Sequence, residues 1–548
     1  MIFNMDFILI LYHLVKREKY IYKIDKWGDK MMNKKDEIFA GIDIGSHSLK
    51  MKVAYVNKKG EISTLENLRR TIPIGSDTFS NGIVSFETVE ELCEILKGYK
   101  RIMEDYKISN YRAVATSAVR EAKNKDYIVD QIKLKTGLRI EVISNSEEKF
   151  LTYKAIREQL DDYRRLRKEG TLLVDIGAGS SELSIYNKNR LIFSQGIKIG
   201  SLRINEILSE IEKKTLDFPK ILEEFIESNI ESLKAIKPRV KLKNFIAIGG
   251  EISVINNILT HGKNESKYIN KTDFLKLYDN ILYKSNNTLV KEYNVPQNRV
   301  DILLPSMILF KKFINLTEAE GIYIPLISLR DGLISDLVDR KFNTLRNKEF
   351  NKDIISSTRN MAKKYKSDNK HIRDVEKKSL NIYDKLKKIH GLGSRERFLM
   401  QIAIILHDIG KYLSFINHHM NSYNIIISSE IIGVSKEEMR VIANVAKYHS
   451  KETPSLLHNN YGALSEKNRI KVSKLAAILR LANALDRSHK QKIKIKDIYI
   501  NNRYLYIDTY SKEDYLLEQW TFKNEADFFK QVFGLSPILK IKKGDLID

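Results

Sequence analysis

Two short stretches share one pattern of chemistry-bearing residues. Asp43-Ile44-Gly45-Ser46-His47-Ser48 and Asp175-Ile176-Gly177-Ala178-Gly179-Ser180 each place an aspartate after an apolar run, then glycine, then small hydroxyls. Their aspartates lie 132 residues apart. A carboxylate at a strand end can face a metal. Glycines remove the Cβ atoms that keep an anion away from backbone N–H groups. Ser180 and Ser181 add hydroxyl donors, and Glu182 adds a second carboxylate. These residue types suit a site for a phosphate and Mg²⁺. One Asp-x-Gly turn means little, because such turns cap many strands. Two with matching hydroxyls point to a duplicated fold with a cleft between the halves.

Other residues could serve the same chemistry. Ala115-Thr116-Ser117-Ala118-Val119-Arg120 sets hydroxyls at a strand end and an arginine one helical turn on, which suits an oxyanion. It reads equally as a strand–helix junction with Ser117 as cap. Ser144 to Glu148 is a turn entering a helix with Glu147 and Glu148 in its first turn. Carboxylates there are usually capping or dipole devices. Gly249-Gly250 follows a buried run and is a place for backbone to approach a nucleoside or phosphate. Farther on, His371, the adjacent pair His407-Asp408, His418, His419, His449 and Asp486 fall in helical patterns. Imidazoles and carboxylates on neighbouring helices are a ligand set for a divalent metal. They read equally as buried packing groups.

The elements that must position these residues change character along the chain. Up to about residue 340, apolar strands alternate with helical patterns, the signature of an α/β fold. Val89, Leu92, Leu96, Tyr99 and Met103 form one helical stripe, and Cys93 flanks it as a core residue. Leu329 to Ile334 reads as a loop entering a helix. From Lys341 the strands vanish, and residues 341–400 hold 17 Lys+Arg against 7 Asp+Glu. After Lys490, Ile493 to Ile507 alternates again like strands. The expected organisation is an N-terminal extension over 1–36, lobe I over 37–150 and lobe II over 151–340. A helical domain over 341–490 and a small α/β domain over 491–548 follow.

The chain has 548 residues, enough for several cores, and a formal net charge of +24. The charge suits a polyanionic partner, although a lysine-rich background would also produce it. Stacking aromatics in a recognition motif are missing, which argues against a nucleic-acid binder. Cys93 is the single cysteine, so an intrachain disulfide is excluded and a cytoplasmic setting is expected. The apolar run Phe7–Val15 is too short to span a bilayer. Residues 1–31 are expected to be a start-site artefact.

Five motifs in one order carry a family resemblance: Asp43 to Ser48, Ala115 to Arg120, Ile143 to Glu148, Asp175 to Ser180, and Leu329-Arg330-Asp331-Gly332-Leu333. Together they resemble the exopolyphosphatase and guanosine pentaphosphate phosphohydrolase (Ppx/GppA) family, over roughly residues 37–548. His407-Asp408 and Leu485-Asp486-Arg487 resemble the HD-type domain of its long members. The resemblance implies a duplicated actin-like (ribonuclease H-like) fold, then an all-α HD-type domain and a small α/β tail. It implies Mg²⁺-dependent (or Mn²⁺-dependent) release of terminal phosphate from inorganic polyphosphate or guanosine pentaphosphate, in a homodimer without membrane or nucleic-acid partners. Glu148 would activate the water and Arg120 would meet the terminal phosphoryl. Asp43, Asp175 and Glu182 would be the Mg²⁺-side acids. Gly45, Ser46, Ser48, Thr116, Ser117, Gly177, Gly179 and Ser180 would cradle phosphate. His371, His407, Asp408 and Asp486 would form a second metal centre. Two alternatives stand beside this reading. One is an actin-fold ATPase or kinase, and the other is a phosphohydrolase working from the His407-Asp408 centre.

Overall fold

The structure is a computed structural model. It describes residues 37–543 apart from short breaks at 161, 213, 216, 237–239, 263–265, 326, 343–344 and 451. The expected extension over 1–36 lies outside the described residues.

Lobe I is built on β1 (Glu37–Ile44), β2 (Ser48–Val56), β3 (Ile62–Thr71), β4 (Asn110–Ala115) and β5 (Ile140–Val142). They form one sheet in the order β3-β2-β1-β4-β5. β1 runs antiparallel to β2 and parallel to β4. Lobe II repeats this with β6 (Thr171–Ile176), β7 (Ser181–Asn187), β8 (Arg190–Ile197), β9 (Asn244–Gly249), β10 (Tyr268–Asn270) and β11 (Gly321–Tyr323). Its order is β10-β11-β9-β6-β7-β8, the same plan with β10 added antiparallel at the edge. The duplication expected from the two Asp-Ile-Gly turns is therefore a duplication of whole sheets.

Both sheets are covered on both faces, which explains their near-continuous apolar strands. In β6, Leu172, Val174 and Ile176 join one buried cluster and Leu173 joins another. Helix α1 (Phe86–Asp105) buries Val89, Leu92, Leu96, Tyr99 and Met103 with Cys93 among them, as the spacing predicts. The helices that matter to the cleft are α2 (Ser117–Glu121), α3 (Asn145–Gln159), α4 (Gly250–Leu259), α5 (Val300–Ile314) and α6 (Leu329–Phe342).

The expected lobe boundaries shift in two places. Helix α6 lies in sequence at the end of lobe II but packs on lobe I. Its Ile334 and Val338 are buried with Phe39, Ala54 and Val56. Helix α3 carries the chain from lobe I to lobe II and runs through the boundary placed at 150.

The last third is helical, as expected, with α7 (Leu345–Lys364), α8 (Asn369–Lys385), α9 (Ser394–Leu406), α10 (His418–Ile427), α11 (Lys436–Lys447) and α12 (Glu466–Ala484). A sheet of β12 (Lys494–Asn501), β13 (Tyr504–Ser511) and β14 (Ser536–Lys543) follows, with α13 (Leu516–Phe533) between its last two strands. This tail is no separate domain. Ile498, Leu505, Ile507, Phe522 and Phe529 share one buried cluster with the helices. No helix among the described residues is long and apolar enough to cross a membrane.

Candidate active site

A cavity of about 790 Å³ is lined by residues of both lobes. The two Asp-Ile-Gly turns meet in it. In the first, the Gly45 N–H donates to the Ser48 carbonyl at 3.1 Å; in the second, Gly177 donates to Ser180 at 2.9 Å. Register sets Asp43 opposite Lys50 and Asp175 opposite Glu182. The end of β4 lies beside the first turn, where the Thr116 N–H donates to the Ile44 carbonyl and the Ser46 and Ser117 hydroxyls are 2.8 Å apart. Asp43, Gly45, Ser46, Ser48, Thr116, Ser117, Asp175, Gly177, Ser180 and Glu182 all line the cavity. Gly179 presses on lobe I instead: a Cβ there would lie 2.7 Å from the Ser117 hydroxyl. Gly249 has φ +131°, and a Cβ would lie 2.3 Å from the Ile176 carbonyl oxygen, so side chains are barred there.

Glu147 and Glu148 divide two jobs between them. The Glu147 carboxylate accepts from the Ser144 N–H at 3.1 Å, while the Ser144 hydroxyl accepts from the Glu147 N–H, a capping box. Glu148 turns into the cavity. Burial pushes its carboxyl up, and Arg120 offsets this only in part. Arg120 does not line the cavity. Its Nη1 donates to Glu148 at 3.1 Å and to the Ile143 carbonyl at 2.9 Å. Its Nη2 is buried with no hydrogen-bond partner among the described residues.

The remaining acids differ in their neighbours. Burial, reinforced by the charge of Glu148, pushes Asp175 up to about 7. Asp43 faces the Lys50 ammonium at 3.7 Å. Glu182 is ion-paired with Lys149, which is buried and also reaches Glu430 of the helical domain at 3.3 Å. The cavity wall carries further cations that sequence reasoning missed: Lys50, Lys52, Arg69, Arg299 and Arg330. Lys52 pairs with Asp331. Arg299 donates to the Gly250 carbonyl at 2.6 Å and stands 3.9 Å from Glu251. Burial lowers the affinity of Lys50, Arg69 and Arg330 for their protons; neighbouring arginines add to this at Lys50 and Arg69, while nearby acids oppose it at Arg330.

The helical domain gathers a second cluster. His371, His407 and Asp408 are brought together with His418 and His449, which sequence reasoning left outside the ligand set. Asp486 is 2.8 Å from His371 Nδ1. Burial pushes His407 down to about 3 and His418 to about 4, so both rings are neutral at pH 7. His419 points elsewhere, toward Glu452 at 4.0 Å.

The model of the Ppx/GppA phosphatase family matches residues 53–341, more than half of the chain. The model of that family's domain III matches residues 355–528. The chain belongs to the Ppx/GppA phosphatase family. Among its relatives is a bifunctional 3-dehydroquinate synthase/phosphatase of Fusobacterium nucleatum, 25% identical over 59% of this chain and 49% of that protein. The chain thus spans about half the length of that relative. A guanosine-5'-triphosphate,3'-diphosphate pyrophosphatase of Pseudoalteromonas translucida is 23% identical over 85% of this chain and 91% of its own. The crystal structure of an exopolyphosphatase from Cytophaga hutchinsonii superposes with a TM-score of 0.50 at 20% identity, covering 56% of this chain and 98% of that one. This likeness fixes the actin-like fold of the Ppx/GppA lobes. Ppx/GppA enzymes depend on a divalent metal.

The cations of the cleft were not legible because Lys50, Lys52 and Arg69 sit on alternating strands, where charge normally means a solvated face. Arg299 and Arg330 arrive from 250 residues away, by tertiary folding alone. The signal was local only for Lys50, two residues beyond the hydroxyl Ser48.

Proposed function

We propose that the cleft hydrolyses the terminal phosphoanhydride of inorganic polyphosphate, or of guanosine pentaphosphate, releasing orthophosphate in the cytoplasm. The observation that carries this reading is charge segregation inside one cavity. Carboxylates Asp43, Glu148 and Asp175 share it with Lys50, Lys52, Arg69, Arg299 and Arg330. Phosphoryl transfer asks for this combination: an oriented water, a hard cation and positive groups on the phosphoryl oxygens.

Asp43 and Asp175 offer only oxygen donors, the set a hard divalent cation takes, and they fit Mg²⁺. When bound, Mg²⁺ would neutralise charge on the phosphoryl oxygens. Glu182 is left to pair with Lys149. Glu148 accepts a proton from the attacking water as the new P–O bond forms. The bridging P–O bond breaks, and the shortened chain leaves with its negative charge among the cleft lysines and arginines. Arg120 holds Glu148 in place and keeps its Nη2 as a spare donor. Serine hydroxyls and backbone N–H groups of both turns cradle the terminal phosphate.

Phosphate release from long polyphosphate, short polyphosphate and guanosine pentaphosphate, assayed in parallel with Mg²⁺, tests the reading. Release from at least one of these, lost in Glu148→Gln, is expected. ATP hydrolysis outpacing all three would replace it with an ATPase.

A further inference from the structure

One acid of the cleft has no task in the hydrolytic reading. Glu251 stands in the first turn of α4, directly after the Gly249-Gly250 turn, and is 7% exposed. It lines the cavity with His47, Arg69 and Arg299, and these four lie in one another's electrostatic field. The charges that act on Glu148 and Asp175 are different: Asp43, Lys50, Arg120, Lys149 and each other. The cavity therefore has two electrostatic ends, one with the acids of the proposed reaction and one with Glu251.

An acid in the first turn of a helix usually serves the helix itself, as Glu147 does. Glu251 does not. The cap of α4 is Gly249, and the helix has no side-chain cap hydrogen bond. Among the described residues the Glu251 carboxylate accepts no hydrogen bond, and Arg299 Nη1 stands 3.9 Å from it. That nitrogen is committed elsewhere, to the Gly250 carbonyl at 2.6 Å. A carboxylate so buried is costly without donors, and the molecule that fills the cavity has to supply them. A phosphate chain supplies none, because its charged oxygens only accept. Guanine supplies two. Its N1–H and N2–H stand side by side on one edge, spaced for the two oxygens of a carboxylate. Adenine has an acceptor at N1 and cannot make the pair. The neighbouring cations come from opposite lobes, Arg69 from β3 and Arg299 from the turn before α5. Burial and the charge of Arg299 both work against the charge on Arg69, which favours an anion between the two guanidinium groups.

We propose, resting on the hydrolytic reading of the cleft, that Glu251 decides which substrate it takes. The Glu251 carboxylate accepts from N1–H and N2–H of a guanine and repels the next phosphate of a polyphosphate chain. Arg69 and Arg299 hold the diphosphate that the ribose carries beside the base. Guanosine pentaphosphate is then the preferred substrate, and an adenosine nucleotide of the same charge is rejected at Glu251.

Binding and turnover are measured separately. Calorimetry on the Glu148→Gln chain with Mg²⁺ compares guanosine pentaphosphate with its adenosine counterpart. The guanosine compound should bind about 5- to 150-fold more tightly, the worth of one bidentate base contact. Glu251→Ala added to that chain should abolish the preference by weakening the guanosine compound alone. The isosteric Glu251→Gln serves if the alanine variant fails to fold by circular dichroism. With Glu148 intact, either Glu251 variant should raise kcat/KM for phosphate release from polyphosphate relative to guanosine pentaphosphate. Equal binding of the two nucleotides overturns the proposal. So does a preference, or a ratio of kcat/KM, that neither Glu251 variant changes. A guanosine preference that depends on Glu251, in a chain that releases phosphate from none of these compounds, would overturn the hydrolytic reading and leave the guanine seat standing.

Discussion

In the proposed reaction, Glu148 and Arg120 set the pH behaviour of the cleft. The Glu148 carboxyl is raised by burial, and Arg120 favours its charged form. Only the charged form accepts a proton from water. The acidic limb of the kcat/KM profile for phosphate release is thus expected above the ordinary carboxylate range of about 4.3. Removing the guanidinium raises the Glu148 pKa further, so Arg120→Met should move that limb to higher pH. An unmoved limb would mean that Arg120 does not act through Glu148. Glu148→Gln should lower kcat about 10²- to 10⁴-fold with little change in KM, measured by phosphate release. The adjacent Glu147→Gln should instead lower the melting temperature while sparing kcat, because that carboxylate caps the helix. The sequence pattern could not divide these roles. Both residues fall in the first turn of α3, and only the capping geometry separates them. Asp486 is the reverse case: the family resemblance implied a metal ligand, but the chain sets its carboxylate 2.8 Å from Nδ1 of the His371 ring.

At the scale of elements, the helix that links the lobes is held on lobe I by a buried ion network on α6. Asp336 accepts from Lys154 at 2.8 Å and Arg112 at 3.0 Å, and Asp339 pairs with Lys154 at 2.9 Å. Lys154 belongs to α3 and Arg112 to β4, so one helix end locks the linker helix to lobe I. Burial alone would raise the Asp336 carboxyl, but Lys154, Arg340 and Arg112 outweigh it and hold it below the usual range. A depressed carboxyl contributes stability above its unfolded pKa and loses it as pH falls through the folded value. This contribution is complete at neutral pH and fades in acid below about 4. Asp336→Ala leaves Lys154 buried and short of a partner, and should cost about 3–5 kcal/mol in denaturant unfolding. Lys154→Met added to Asp336→Ala should recover part of that loss. Full additivity of the two changes would show that the pair is not coupled. The duplicated sheets were legible because each Asp-Ile-Gly turn sits between strands of strict apolar pattern. The return of α6 to lobe I was not, since its Ile334 and Val338 could have covered either sheet.

Across the whole molecule, the segment around Gly433 carries the helical domain onto the turn that bears Glu148. Its N–H donates to the Ser146 carbonyl at 3.0 Å, and Glu430 reaches Lys149 at 3.3 Å. Ser146 and Lys149 flank Glu148, so this segment leans on the turn that aims the carboxylate proposed to activate water. Gly433 has φ +72°, and a Cβ there would lie 2.8 Å from the Phe150 ring and 3.0 Å from Ile354. Neither the backbone angle nor the space admits a side chain. Gly433→Val must therefore push the segment off α3 and press on Ile354, which belongs to the helical core with Ile431 and Val434. A misplacement on the order of 1 Å at a reacting group costs up to about 10²-fold in rate. Gly433→Val should accordingly lower kcat for phosphate release roughly 10- to 100-fold, with KM changed less, because the cations proposed to bind the polyanion sit on β2, β3, α6 and the turn before α5. Far-UV circular dichroism should stay that of the parent chain. Parent-like kcat in a folded Gly433→Val chain would show that the helical domain does not support the geometry of Glu148.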